Sequence, residues 1–330
     1  MVPIMNVPFL ERTLQRLKAA GIDDVILPAG YLPAAISSYF SDGSRLGLKI
    51  RYVIEETPLG TAGAIKNVAR YISGPFFVLN GDVLTSLDLQ EMLALHKRQG
   101  GMGVLHLIRV EDPSAFGCVV HDADGKVTAF VEKPKREEAL TNEVNAGTYL
   151  LDPAVLDLIP DGRMVSIERE TFPLVVAGAK PLYAHTTSDY WIDLGSPEAY
   201  LKAHRDIFDG KMPLGIGQGV SGPGAKVAPA ESCTAPVYVG ENVRIAPGSH
   251  VGPYAVLGDG CSIGANAVVR DSVLWDAVVV GEGAVVEGSI VASRARVGAE
   301  AAVKAGCVIG HDGIVGSGSR VEENARVSAG

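Results

Sequence analysis

Apolar and polar positions follow two different rhythms along this chain. Up to about Phe208, short apolar runs alternate with amphipathic helical stretches. Pro8 to Ala20 predicts a helix: proline stands in its first turn, Phe9, Leu10, Leu14 and Leu17 line one face, and Gly21 stops it. Val25–Leu27 predicts a buried strand, Ala34–Phe40 a short helix, Lys49–Ile54 a strand, Ala62–Tyr71 a helix and Phe76–Leu79 a further strand. Such alternation implies right-handed crossovers and a mainly parallel sheet with helices on both faces. From Val104 to Leu151 the strand runs crowd together, with Asp124-Gly125 as a hairpin turn, so an antiparallel part is expected and the sheet is read as mixed. A helix from Pro197 to Phe208 closes this α/β domain, set at residues 1–208.

Residues 209–236 are rich in Gly, Pro, Ala and Ser without a sustained period, and predict a linker. Then the second rhythm begins. Aliphatic residues fall six apart at 239, 245, 251, 257, 263 and 269, and the series resumes after a shorter step at 274, 280 and 286. A second short step leads to 291, 297, 303, 309, 315, 321 and 327. Neither an α-helix nor a hairpin array has this period. A coil of short strands has it, with one aliphatic side chain per strand pointing inward and the following Gly making the corner. Three strands per turn give roughly five turns of parallel β-helix over 237–330.

Composition narrows the function classes. The 330 residues carry a formal net charge of -9 and a pI near 5.3, which excludes the usual electrostatic footprint of a nucleic-acid binder. No apolar run approaches the roughly 20 residues of a transmembrane helix, and Met1–Asn6 lacks the basic and apolar regions of a secretory signal. Cys118, Cys233, Cys261 and Cys307 stand far apart with no C-x-x-C pair, as expected of reduced thiols in a cytoplasmic protein.

Five runs carry candidate chemistry. Leu59–Ala64 places two glycines between a strand and a helix, where backbone N–H groups can approach a ligand at a positive helix end, although such loops are often plain helix starts. Leu79-Asn80-Gly81-Asp82 puts an acid at the C-terminal end of a central strand, where open α/β sheets bind ligands and a carboxylate can hold Mg²⁺ against phosphate; a plain Asn-Gly turn is the alternative. In Glu132-Lys133-Pro134 the lysine can meet a phosphate as a point charge and the glutamate can accept from hydroxyls, or the two form an ordinary exposed pair. Asn145–Tyr149 offers an amide and a bare backbone at a strand start. Tyr190–Pro197 sets a second acid, Asp193, before a helix capped by Ser196.

In their order and spacing, Leu59–Ala64, Asn80–Val83, Glu132–Pro134, Asn145–Tyr149 and Trp191–Tyr200 resemble the sugar-1-phosphate nucleotidylyltransferases, or NDP-sugar pyrophosphorylases. The hexapeptide tail and the run Ser166–Pro173 are similar to the branch of mannose-1-phosphate guanylyltransferase. The resemblance implies a Rossmann-like nucleotidyltransferase domain followed by a left-handed coil. It implies in-line attack of a sugar 1-phosphate on the α-phosphorus of a nucleoside triphosphate, GTP with mannose 1-phosphate first, and thymidylyl or adenylyl transfer to glucose 1-phosphate next. It assigns Asp82 and Asp193 to Mg²⁺, Lys133 to the sugar phosphate, Glu132, Asn145 and Gly147 to the sugar pocket, and Gly60, Thr61, Gly63 and Gly81 to the nucleotide, with Glu55 or Glu56 near the base.

The chain departs from the family pattern at its start. The family opens with a strand, a G-G-x-G-T-R-L loop and a Pro-Lys-Pro; Met1–Asn6 resembles the stretch directly after these. A start codon placed too far downstream is the favoured expectation, true truncation the other, and little catalysis is expected of the chain as it stands. Pyrophosphate release at an ordinary enzymatic rate would overturn that. A non-catalytic regulatory paralogue sensing nucleotide sugars is a rival reading, supported by the missing loop and opposed by Asp82, Lys133 and Asp193. An acyltransferase using His250 or His311 on the coil is a weaker one, since His250 occupies a regular repeat position and His311 a turn. The coil itself is read as a module for homo-oligomerisation or regulation.

Overall fold

The computed structural model describes every residue except 31–32, 179, 217, 226–229 and 329–330. Residues 217 and 226–229 of the expected linker therefore lie outside the described residues. By contacts the chain divides into two units, one of Met1 with Arg12–Trp191, the other of Val2–Glu11 with Ile192–Gly330.

In the first unit the apolar runs become strands and the amphipathic runs helices. Helix α1 (Phe9–Ala19), whose first three residues are grouped with the second unit, leads to strand β1 (Asp24–Ala29), helix α2 (Pro33–Phe40) and strand β2 (Lys49–Ile54); β1 and β2 form a parallel ladder from Asp24↔Lys49 to Ala29↔Ile54. Helix α3 (Gly60–Asn67) starts two residues before the expected Ala62. The cause is Gly60, whose φ of +70° turns the chain over the Val165 carbonyl, which then accepts from Ala62 N–H at 3.0 Å.

Strand β3 (Phe76–Leu79), helix α4 (Leu89–Gln99) and strands β4 (Gly103–Arg109), β5 (Gly117–His121), β6 (Val127–Glu132), β7 (Glu143–Leu151) and β8 (Leu182–Thr187) follow. The sheet has the order β8-β4-β7-β5-β6, with β3 also paired to β7. Strand β8 runs parallel to β4. Strand β7 is antiparallel to β3, β4 and β5, so these three point the same way and β7 runs against them. The sheet is mixed as expected. Neighbour by neighbour most of its ladders are antiparallel, because β7 inserts where a parallel neighbour would stand. Asp124-Gly125 does join a hairpin, β5 to β6. Leu105, Leu107, Tyr149, Leu151, Ile167 and Phe172 lie in the core beneath it.

The second unit holds the coil. Three parallel sheets make its faces, and six successive strands at Val237, Ala255, Val273, Ile290, Val308 and Arg326 stack along one of them. The aliphatic residues of the period (Val239, Val251, Leu257, Ile263, Val269 and their successors) fill one continuous core. The two short steps keep this register, since Leu257 still pairs with Leu274 and Leu274 with Val291. Each loses its residue at a corner, where Asp271 and Gly288 adopt φ +50° and +54°.

Corner chemistry differs from the expectation. The glycine after the aliphatic residue mostly is not the left-handed one; that residue comes two places later, at Asn242, Gly260, Asn266, Gly283, Glu300, Asp312 and Gly318. The first glycine is needed for close stacking instead. A Cβ at Gly258 would lie 2.5 Å from the Trp275 carbonyl carbon, and one at Gly264 would lie 2.6 Å from Glu282 N.

Val2–Glu11 and helix α6 (Pro197–Phe208), capped by Ser196 Oγ on Ala199 N at 3.1 Å, belong to the same unit as the coil. Tyr200 Oη donates to Pro3 O at 2.5 Å and accepts from Trp275 Nε1 at 3.1 Å. Asn6 Nδ2 donates to Leu257 O at 2.8 Å. All four cysteines are free, and among the described residues no helix is long and apolar enough to cross a membrane.

Candidate active site

Strand β3 ends in Asn80-Gly81-Asp82, and β7 passes beside that end with a bulge between Asn145 and Tyr149. The two lock together. Asn80 N–H donates to Gly147 O at 2.8 Å, and Gly147 N–H donates to Asn145 Oδ1 at 3.0 Å. Gly147 has φ +71°, and a Cβ there would fall 2.7 Å from Asn80 Nδ2, so glycine is required by conformation and by space alike. Gly81 and Asp82 stand exposed in the turn that follows, before the strand Val83–Thr85.

Asn145 also donates through Nδ2 to Tyr149 Oη at 2.7 Å, and the buried Tyr149 hydroxyl donates to Glu168 Oε1 at 3.3 Å. Glu168 Oε2 accepts from Thr61 Oγ1 at 3.0 Å and Ser166 Oγ at 2.9 Å. Thr61 in turn accepts from Ile167 N at 2.8 Å. Residues 167–171 form a π-helical turn ahead of helix α5 (Phe172–Ala177), which sets Glu168 on the site side; such turns recur at functional sites.

The loop of Leu59–Ala64 is held against the segment 163–165. A Cβ on Gly60 would meet Val165 O at 2.6 Å and one on Gly63 would meet Arg163 O at 2.5 Å. Protein backbone therefore accounts for both glycines. Glu55 follows β2 directly, half-buried, with its N–H on Ala29 O at 3.3 Å; Glu56 beside it is exposed.

Glu132 ends β6 opposite Gly117, where any side chain would come within 2.7 Å of Glu132 Oε2. Burial and then the Glu168 charge push the Glu132 carboxyl above its ordinary range, against the pull of Lys133 and Arg169. Lys133 is exposed at φ +48°, uncommon for lysine, with its N–H donating to Phe116 O at 3.0 Å. Trp191 supports the region from behind: its Nε1 donates to Ala146 O at 2.9 Å and its ring meets Phe116 edge-on at 5.3 Å.

The first unit thus gathers Thr61, Asn145 and Gly147 into one hydrogen-bonded group, with Asp82 at its margin and Glu132 in the field of Glu168. Asp193 lies in the second unit, where its Oδ1 accepts from Gly195 N at 2.7 Å. Among the described residues no group of three or more His, Cys, Asp or Glu is placed to hold a metal ion. Glu168 received no role from sequence reasoning. The only signal for it was the run Ser166–Pro173, in which a glutamate can equally be a solvated helix residue. A cavity of about 400 Å³ in the second unit, between α6 and the coil corners, is lined by none of the expected site residues. Its Arg205 and Asp271 are already paired, so it adds nothing to this chemistry.

Comparisons with known proteins bear on the whole chain. The profile of the nucleotidyl transferase family matches residues 1–210, and that of the EIF2B subunit epsilon LbH domain matches residues 223–328. A mannose-1-phosphate guanylyltransferase of Mycobacterium tuberculosis is 41% identical over 277 residues, covering 82% of this chain and 76% of that protein. A UTP–glucose-1-phosphate uridylyltransferase of Synechocystis is 32% identical over 304 residues, covering 83% of this chain and 76% of the other. Among solved structures, HddC from Yersinia pseudotuberculosis complexed with GMP-PN is 31% identical with a TM-score of 0.54, over 63% of this chain and 88% of that one.

Proposed function

This chain belongs to the nucleotidyl transferase family, with an LbH coil behind its transferase domain, and from that premise we propose that the transferase domain is built for joining GTP to mannose 1-phosphate, giving GDP-mannose and pyrophosphate. The family relation carries the reaction class. The guanylyltransferase relative at 41% identity and the GMP-PN-bound neighbour support guanine and mannose over other pairs.

Within that reaction the chain's own residues bind and orient. Lys133, exposed at the end of β6, meets the sugar phosphate as a point charge. Glu132, whose carboxyl keeps a proton to higher pH than usual, takes a sugar hydroxyl beside it. Asn145 uses one N–H and one lone pair on Tyr149 and Gly147, which leaves one of each for sugar hydroxyls. Gly147 brings bare backbone close to the same ligand. Gly60, Thr61, Gly63 and Gly81 line the nucleotide side, with Glu55 near the base. Holding both substrates in line supplies most of what phosphoryl-type transfer needs from a protein.

Asp82 in the first unit and Asp193 in the second are each proposed as a residue that would ligate Mg²⁺, since both are carboxylates, the hard oxygen donors this ion takes. When bound, the ion neutralises charge on the α-phosphate. We place the protein in the cytoplasm and read the coil as its means of homo-oligomerisation.

The test is calorimetric binding of GDP-mannose, UDP-glucose, dTDP-glucose and ADP-glucose with and without Mg²⁺, beside a pyrophosphate-release matrix of the matching substrates. GDP-mannose should bind at least about tenfold tighter than the others, one good base-edge contact's worth. Preference for UDP-glucose, the substrate pair in the name of the Synechocystis relative, would reassign base and sugar. No binding of any of the four sinks the reading.

A further inference from the structure

One carboxylate in the first unit collects three hydroxyl donors, and none of the residues expected from sequence explains why. Glu168 accepts from Tyr149 Oη through Oε1 and from Thr61 Oγ1 and Ser166 Oγ through Oε2. An ionised carboxylate can only accept. The Tyr149 hydrogen must therefore point at Glu168, which leaves the tyrosine oxygen as an acceptor towards Asn145. Asn145 must then present Nδ2 to Tyr149 and Oδ1 to the Gly147 N–H, and the 2.7 and 3.0 Å contacts are those. The flipped amide would set N–H against N–H at Gly147 and lose the tyrosine.

We propose that Glu168 is a positioning residue: through the Tyr149 hydroxyl it fixes which way the Asn145 amide faces, and through Thr61 it ties that strand to the Leu59–Ala64 loop. This deepens the sugar-phosphate reading of Asn145 given above and rests on it for its consequence in binding. The residue acts at a distance from the ligand. A neutral isostere shows the reason: Glu168→Gln would put an amide N–H₂ on one side, and the Tyr149 hydrogen or a Thr61 or Ser166 hydrogen would lose its acceptor. Burial leaves Tyr149 no water to turn to, being only 1% exposed.

Glu168→Gln and Tyr149→Phe test this in the intact chain, with two readouts. In the ligand-free protein, hydrogen exchange of the Asn145 side-chain amide should quicken at least about tenfold in both variants, the loss expected for a hydrogen bond in a charged chain. With mannose 1-phosphate as the probe, affinity should fall about tenfold in each, and the double variant should be no worse than either single one, since all three remove the same relay. A charge effect should accompany this in Glu168→Gln alone. Glu132 is faced by Glu168, Lys133 and Arg169, with Cys118 and Tyr149 also in its field. Removing the Glu168 charge should move the acid limb of the binding profile to lower pH, which Tyr149→Phe should leave in place. Unchanged exchange at Asn145 in both variants overturns the proposal, as does an additive double variant. Should Glu168→Gln fail to fold, Tyr149→Phe decides alone. If the wild-type chain binds no sugar 1-phosphate, the functional reading fails and the exchange measurement still decides the relay.

Discussion

At Gly147 a methyl group would need both a left-handed backbone and room that Asn80 occupies at 2.7 Å. Gly147→Ala should therefore cost about 1–3 kcal/mol of stability by urea unfolding. It should also weaken sugar-phosphate binding; a variant as stable as wild type would show that the bulge relaxes freely. His106 offers a second prediction of this size. It is fully buried on β4, with Nε2 on Thr187 Oγ1 at 2.9 Å and no partner for Nδ1 among the described residues. Burial, then His185, then Arg16 push it down to about 3 from 6.5. Below pH 6.5 the unfolded chain takes a proton that the folded chain refuses until about 3, so stability present above 6.5 is lost as pH falls through that window. His106→Gln should shrink the loss between pH 7 and 4 by about 2–4 kcal/mol; equal pH slopes for the two proteins would refute the assignment. Residues differ in how much of this a sequence reveals. The run Asn80-Gly81-Asp82 and the pair Glu132-Lys133 could be found because strand ends with unusual residues announce themselves locally. Glu168 could not, because its importance lies in three hydroxyls from Thr61, Tyr149 and Ser166, two of them distant along the chain. At Gly60 and Gly63 the structure adds a reason for glycine that the sequence does not show: segment 163–165 lies where a Cβ would stand.

Elements were legible where a period was regular. Six-residue spacing implied the coil because no other backbone repeats that way, and the short steps at 269–274 and 286–291 survive as missing corner residues. Those corners carry their own chemistry. Ser272 and Ser289, both fully buried, stack there, with Ser289 N–H on Ser272 Oγ at 3.1 Å and Ser272 Oγ on Arg270 O at 2.7 Å. Ser272→Ala would leave the Ser289 N–H buried without its acceptor, at a cost of about 1–3 kcal/mol measured on the melting of the coil. Ser272→Thr should cost less if its hydroxyl keeps both bonds. What the period could not convey is the division of labour between glycines, because a Gly that permits close stacking and a Gly that permits a left-handed turn look alike in a sequence. Strand direction was legible only in part. The crowding of strands from Val104 to Leu151 implied an antiparallel part, which the β7–β4 ladder bears out, but not that β7 also runs against β3; the pairing of Tyr149 with Val78 decides that.

The scale of the whole molecule turns on where α6 belongs. Its pattern announces a buried face, since Tyr200, Ala203, His204, Ile207 and Phe208 recur on one side, but a pattern does not name the surface that buries it. Composition therefore sets a boundary at Asp209, whereas contacts group α6 and Val2–Glu11 with the coil. The bonds responsible are specific: Tyr200 Oη to Pro3 O, Trp275 Nε1 to Tyr200 Oη, Met5 N–H to His204 Nε2 at 3.2 Å and Asn6 Nδ2 to Leu257 O. The coil's core is its own, running unbroken from Val237 to Val315, and each turn needs only its neighbours. A fragment from Ile192 to the C-terminus should therefore fold, giving a β-type circular dichroism spectrum and a cooperative melt. Without Pro3, Met5 and Asn6 it should melt lower than the same transition in the whole chain, by several degrees for the roughly 1–3 kcal/mol carried by the lost bonds. Tyr200→Phe in the whole chain should move that transition the same way. A fragment without a cooperative melt would mean that the segment Val2–Glu11, and not the hexapeptide core, is what the second unit depends on.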